Sequence, residues 1–144
     1  SRMWTGATQA KEESLVNVGF LRMRIEFIEF AFAQGEVDEI WITFPDPQLK
    51  KRRAQKRLTH PLFLNRYNYL LKKEGVIHLK TDSQFLHGYT LGIIHGEGHI
   101  LEDAENDLYN AKLQREHMEI RTHYEKIYLD KEMPITYCRF KLNY

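Results

Sequence analysis

A run of apolar residues that ends on two prolines constrains this chain more than any other feature. Val37, Ile40, Trp41, Ile42 and Phe44 crowd into residues 37–44. A short stretch so rich in β-branched and aromatic side chains reads as a buried strand. Pro45 has no N–H to give a ladder, so the strand stops there. Asp46 stands between Pro45 and Pro47, and the second proline pushes it toward an extended backbone. A carboxylate fixed just past the carboxyl end of a strand lies where open α/β sheets bind ligands. Ordinary turn chemistry is the other reading of Pro-Asp-Pro. At the level of sequence both stand.

The next turn is densely cationic. Lys50, Lys51, Arg52, Arg53, Lys56 and Arg57 place six cations within eight residues, with no acid among them. A charge run is commonly a solvated face, but here the mutual repulsion has no local relief. Phosphates would supply it, with counterion release adding affinity. Such contacts position a nucleic acid without reading its sequence. The net charge of the whole chain is only +1, so a nucleic-acid signal has to be local, as this one is.

The remaining pattern alternates helix and strand. Residues 3–13 read as a helix with Trp4, Ala7, Ala10 and Lys11 on one face, and Ser1 or Thr5 as its cap. Residues 18–23 alternate weakly and read as a strand. Ile25, Ile28 and Phe32 mark a helix to about residue 33, stopped by Gly35. Pro61 opens a helix that carries Lys72 and Lys73 in its last turn and breaks at Glu74-Gly75. Residues 76–81 form a strand, 83–95 a helix and 99–102 a strand. Residues 103–121 are polar and read as a long loop or marginal helix. Residues 122–130 form a short helix. Residues 135–142 alternate polar and apolar, which suits an antiparallel final strand with one wet face. The order predicts an α/β layered fold with a mainly parallel sheet, as one domain over residues 1–144.

Cys138 is the only cysteine, which excludes an intrachain disulfide and fits a reducing compartment. No apolar run reaches membrane-spanning length. His95 and His99 are separated by Gly96 and Gly98, so they do not share a helix face as metal ligands. Gly96-Glu97-Gly98 precedes a strand instead of following one, so it is no nucleotide fingerprint. Asp82, after the strand at 76–81, is either a helix cap or a second carboxylate facing the same crevice as Asp46. Its two oxygens suit the paired donors of a guanine edge. Thr122 and Glu125 fit a capping box.

Taken together, Ile42-Thr43-Phe44-Pro45-Asp46-Pro47, Lys50-Lys51-Arg52, Lys56-Arg57-Leu58, the run from Gly75 to Asp82, and Thr122-His123-Tyr124-Glu125 resemble the tRNA (guanine-N(7)-)-methyltransferase family. Motifs in register along the whole chain are far more specific than any one of them. The resemblance implies a Rossmann-like class I methyltransferase fold. It also implies S-adenosylmethionine as methyl donor, N7 of a tRNA variable-loop guanine as target, and a cytoplasmic location. By motif matching it implies Asp46 as the catalytic and cofactor-facing acid. Lys50, Asp82, Thr122, His123, Tyr124 and Glu125 become substrate contacts, with Lys51, Arg52, Arg53, Lys56 and Arg57 for phosphates. Arg24 stands where the family has a further acid, so a cofactor contact there would run through its backbone.

The family's glycine-rich loop has no counterpart in these residues, so the chain reads as a methyltransferase domain lacking its N-terminal cofactor part. Two expectations follow. The sheet has an exposed edge, open to another chain or to a second copy. Within the fragment the competing function is RNA binding without catalysis.

Overall fold

The computed structural model describes residues 2–144. The helix α1 spans Arg2–Glu12; Thr5 lies inside it, and Ser1, the other candidate cap, lies outside the described residues. The strand β1 covers Val37–Thr43, the helix α2 Pro61–Leu70, and the strand β2 Leu71–Thr81. The helix α3 follows over Gln84–Gly96, then the strand β3 over Ile100–Glu105. The helix α4 spans His123–Asp130, and the strand β4 closes the chain over Thr136–Lys141.

The sheet order is β1-β2-β4-β3. β1 and β2 pair in parallel, while β4 runs antiparallel to both β2 and β3. Three strands therefore share one direction and the last in sequence opposes them, as the alternation pattern anticipates. Gly35 adopts φ +64, a backbone shape that glycine takes without a Cβ penalty, but it stops no helix, since the turn before it already ends at Phe30. Pro61 occupies the first turn of α2, and the His60 side chain accepts from the Leu62 N–H at its start.

Registered pairs share a face of a sheet, and the two faces differ sharply. Ile42, Ile77, Leu79, Cys138 and Phe140 point to one side and pack with Phe63, Leu64, Tyr67, Leu86 and Ile94 of α2 and α3. Trp41, His78, Lys80 and Tyr137 alternate to the other side. That face is closed by residues 106–120 and α4, with Leu108 and Met118 buried against Tyr137. β2 is buried on both faces, so its buried polar residues His78, Lys80 and Thr81 need partners.

Four expectations are corrected. Residues 18–23 form no strand; they are almost all exposed, and alternation alone makes no strand where nothing pairs with it. Residues 25–33 hold only a 3₁₀ turn, Ile25–Phe30. α2 stops at Leu70, and Leu71 begins β2 because it pairs with Val37 of β1; Lys72 and Lys73 thus lie in a strand. Gly75 is likewise inside β2, where an added Cβ would meet Leu71 at 2.8 Å. Finally, residues 103–105 extend β3, while the remainder up to 121 is the long loop expected. Arg115 grips Asp103 with two bonds of 2.7 and 2.8 Å, and a 3₁₀ turn covers Glu116–Glu119.

Among the described residues β1 pairs only with β2. Its other side borders a groove of about 580 Å3 lined by Ile25, Ile28, Phe32, Ile40, Ile42 and Tyr67 among others. The open edge anticipated from sequence is therefore present. No helix of the described residues is long and apolar enough to cross a membrane.

Candidate functional site

The site is built where β1 and β2 end side by side. Thr43 pairs with Lys80, and the Phe44 N–H donates to the Lys80 carbonyl at 2.9 Å. The chain then leaves β1 through a sharp bend, with Phe44 at φ +49 and Gln48 at φ +46. Asp46, exposed at the crest, accepts the Gln48 N–H on Oδ1 at 2.9 Å. The turn role foreseen for it is thus realised, and it leaves the carboxylate facing outward. Asp82 follows β2 and is half-buried. The cap of α3 is Ser83, whose Oγ accepts the Leu86 N–H at 3.1 Å, so Asp82 is not the cap.

The third component is the start of α4. Thr122 Oγ1 accepts the Glu125 N–H at 3.2 Å, and Glu125 accepts the Thr122 N–H at 2.7 Å. Both arms of the capping box are therefore closed. Glu125 is fully buried. One carboxylate oxygen also takes the Lys80 ammonium at 2.6 Å and the Tyr109 hydroxyl at 2.6 Å. This pair ties α4 to the end of β2, and so sets where Thr122, His123 and Tyr124 stand. Burial would raise the Glu125 pKa, but the bonds from Lys80, Thr122 and Tyr109 outweigh it and hold it below its ordinary value. Phe44 reaches the same helix, with its ring 6.5 Å from Tyr124 and 5.6 Å from Tyr128. A cavity of about 290 Å3 lies behind this corner, lined by Trp41, Thr43, Lys80, His117, Ile120, Thr122 and Glu125.

Not every candidate is available. His123 is exposed and Tyr124 is 40% exposed, with the Arg2 guanidinium stacked on the Tyr124 ring and bonded to its hydroxyl. Lys50, Lys51, Arg52, Arg53 and Lys56 are exposed. Arg57 is only 6% exposed, and its guanidinium is bonded to the Gln48 carbonyl. That removes it from the phosphate set. Arg24, 73% exposed and paired with Glu26 at 3.3 Å, sits after the strand that does not form, so nothing directs it to a cofactor. The Lys80–Glu125 pair was not foreseen, because its members are 45 positions apart and neither carries a motif cue except the capping box.

The profile of a family described as "Putative methyltransferase" matches residues 4–138. The chain belongs to that family. A protein of Christiangramia forsetii named tRNA (guanine-N(7)-)-methyltransferase is 54% identical over 143 residues, 99% of this chain and 64% of its own length. One of the same name from Bacteroides thetaiotaomicron is 49% identical over 99% of this chain and 56% of its own. The chain thus spans roughly three-fifths of the length of these curated relatives. A SAM-dependent methyltransferase from Archaeoglobus fulgidus superposes over 97% of the chain and 82% of its own, with a TM-score of 0.47 and 11% identity. That last likeness is too distant to carry weight.

Within this family member, the sheet face beneath the site has its own titration behaviour. His78 stacks flat on Trp41, with ring centres 3.8 Å apart, and its Nδ1 lies 2.9 Å from the Tyr137 hydroxyl. Glu39 lies 3.2 Å from its Nε2. Burial nevertheless dominates and lowers the His78 pKa to about 4. His87, His99 and His117 are also lowered, chiefly by burial. Each is neutral in the folded protein while its unfolded form takes a proton near 6.5, so stability falls as pH drops from about 6.5 toward about 4. Melting temperature measured against pH should fall through that window. His78→Gln should flatten the slope there; an unaltered slope would mean that His78 is charged in the native state.

Proposed function

We propose that the protein transfers a methyl group to N7 of a guanine in the variable loop of tRNA, with S-adenosylmethionine as donor, in the cytoplasm. The observation that carries this reading is the 54% identity over 99% of the chain to a relative of that printed name, a span that takes in all the motifs of the site. The geometry supports it: Asp46, Asp82 and the Thr122–Tyr124 segment follow strand ends and a helix start that adjoin one another, with exposed cations beside them.

N7 presents a free lone pair on the major-groove edge of guanine. It needs no deprotonation, so the protein's work is alignment and electrostatics. Asp46, turned outward, orients the purine and offsets the positive charge that methylation places on it. Asp82 accepts from the base edge, and Thr122 and the exposed His123 line its approach. Glu125 acts on the substrate only through the segment it anchors, since its oxygens hold Lys80, Tyr109 and the Thr122 N–H. For the donor the fit is poor: residues 2–144 contain no glycine-rich turn after a strand, and the Arg24 side chain is paired with Glu26. No step is therefore assigned to donor-binding side chains of this chain.

The test is transfer of labelled methyl from S-adenosylmethionine to unmodified tRNA by the product of the complete reading frame, with the modified base identified by mass spectrometry. N7-methylguanosine is expected. Tight tRNA binding without methylation would leave only the RNA-binding reading. Lys50→Ala should weaken tRNA binding and reduce the slope of log K against log salt by roughly 0.7–0.9, one phosphate contact. An unchanged slope would take Lys50 off the phosphates.

A further inference from the structure

Arg57 is the one residue of the cationic stretch that turns inward. Its Nε and Nη2 donate to the Gln48 carbonyl at 3.3 and 3.1 Å. Its guanidinium lies 4.8 Å from the centre of the Phe85 ring and 4.4 Å from that of Tyr89, both on α3. Two residues on, the buried Thr59 hydroxyl meets the Thr90 hydroxyl of the same helix at 2.7 Å. Among the described residues no carboxylate pairs with Arg57. Burying a cation without a counter-ion is costly, and two aromatic faces with one carbonyl offset that cost only in a defined geometry.

Gln48 is the link. Its N–H bonds the Asp46 carboxylate at 2.9 Å, and its C=O is held by Arg57. Its left-handed backbone, φ +46, is one that a side-chain-bearing residue keeps only under external constraint. The contact also closes the segment between positions 48 and 57, a 3₁₀ helix over Lys51–Lys56 with its flanks, from which Lys50, Lys51, Arg52, Arg53 and Lys56 project outward.

We propose that Arg57 is a positioning residue: a clasp, seated on α3, that sets the Asp46 carboxylate through the Gln48 backbone and presents the five outward cations as a pre-shaped arc for tRNA phosphates. The proposal rests on the function given above. Lysine cannot replace the clasp, because a single ammonium has no planar fork with which to give two N–H groups to one oxygen while keeping both ring contacts.

The experiment compares the product of the complete reading frame with its Arg57→Lys, Tyr89→Leu and Lys50→Ala variants. It measures backbone amide exchange and tRNA binding across a salt series. In Arg57→Lys the Gln48 amide should exchange about tenfold or more faster, a loss of local protection, while the Ile77 and Leu79 amides of β2 keep their wild-type rates. Its tRNA affinity should fall about three- to tenfold at every salt concentration with an unchanged slope, since loop ordering is now added to the cost of binding. Tyr89→Leu, which keeps Arg57, should move both readouts in the same direction and by less, and it stands in if Arg57→Lys does not fold. Wild-type exchange at Gln48 in both variants overturns the clasp. So does a slope reduced as in Lys50→Ala, which would make Arg57 a phosphate contact. If the wild-type protein does not bind tRNA, the functional reading fails, and Gln48 exchange alone decides whether Arg57 holds the loop.

Discussion

Asp46→Ala should slow methyl transfer by about 10²–10³-fold, the range seen when one preorganised electrostatic partner of a transition state is removed, while tRNA affinity stays close to wild type. Affinity resides in the outward cations, which the substitution leaves alone. Single-turnover methylation and filter binding, measured on the same preparations, check both halves. Asp46→Asn sharpens the test. Asparagine can still accept the Gln48 N–H that Asp46 accepts at 2.9 Å, so the turn survives and only the charge goes. Equal losses in the two variants would assign the effect to charge opposite the methylated purine. Full activity in Asp46→Asn would return Asp46 to a turn residue.

Glu125→Ala should cost the fold about 3–5 kcal/mol, the usual effect of leaving one member of a buried ion pair without its partner. Lys80 is 2% exposed and Glu125 fully buried, so the substitution leaves a buried ammonium without its charge partner. The same change frees the Tyr109 hydroxyl and the Thr122 N–H. The loss is a large part of the stability of an ordinary domain, and chemical denaturation should show it directly. The contribution is also pH-dependent. Because the Glu125 pKa is lowered in the fold, its stabilisation is complete above the ordinary value of 4.5 and is lost as pH falls through the lowered one. Lys80→Met combined with Glu125→Leu should recover part of the loss, since two apolar side chains pack where one unpaired charge cannot. A Glu125→Ala protein as stable as wild type would show that solvent reaches Lys80.

What the sequence made legible is what local chemistry decides. The apolar run at 37–44, the proline opening α2 and the threonine-glutamate box opening α4 each depend on neighbours a few positions away, and each is where the pattern put it. The errors came where pairing partners decide. Residues 18–23 have strand-like alternation but nothing to pair with among the described residues. Leu71 looks like the end of a helix and becomes a strand because Val37 lies beside it. Arg57 reads as one cation among six; only the fold, by bringing Phe85 and Tyr89 over it, sets it apart. Lys80 looked like an ordinary strand position, and its role appears only once Glu125 arrives from the far end of the chain.

The bend that carries Asp46 has a consequence for anyone hoping to borrow it. Phe44 and Gln48 sit in a backbone basin that costs a side-chain-bearing residue about 1 kcal/mol or more. Their curve is imposed by the Lys80 carbonyl on one flank and Arg57 on the other. Excised as a short peptide, or transplanted onto a foreign scaffold, the same five residues from Phe44 to Gln48 would relax and the acid would swing away. Its aim belongs to the surrounding architecture.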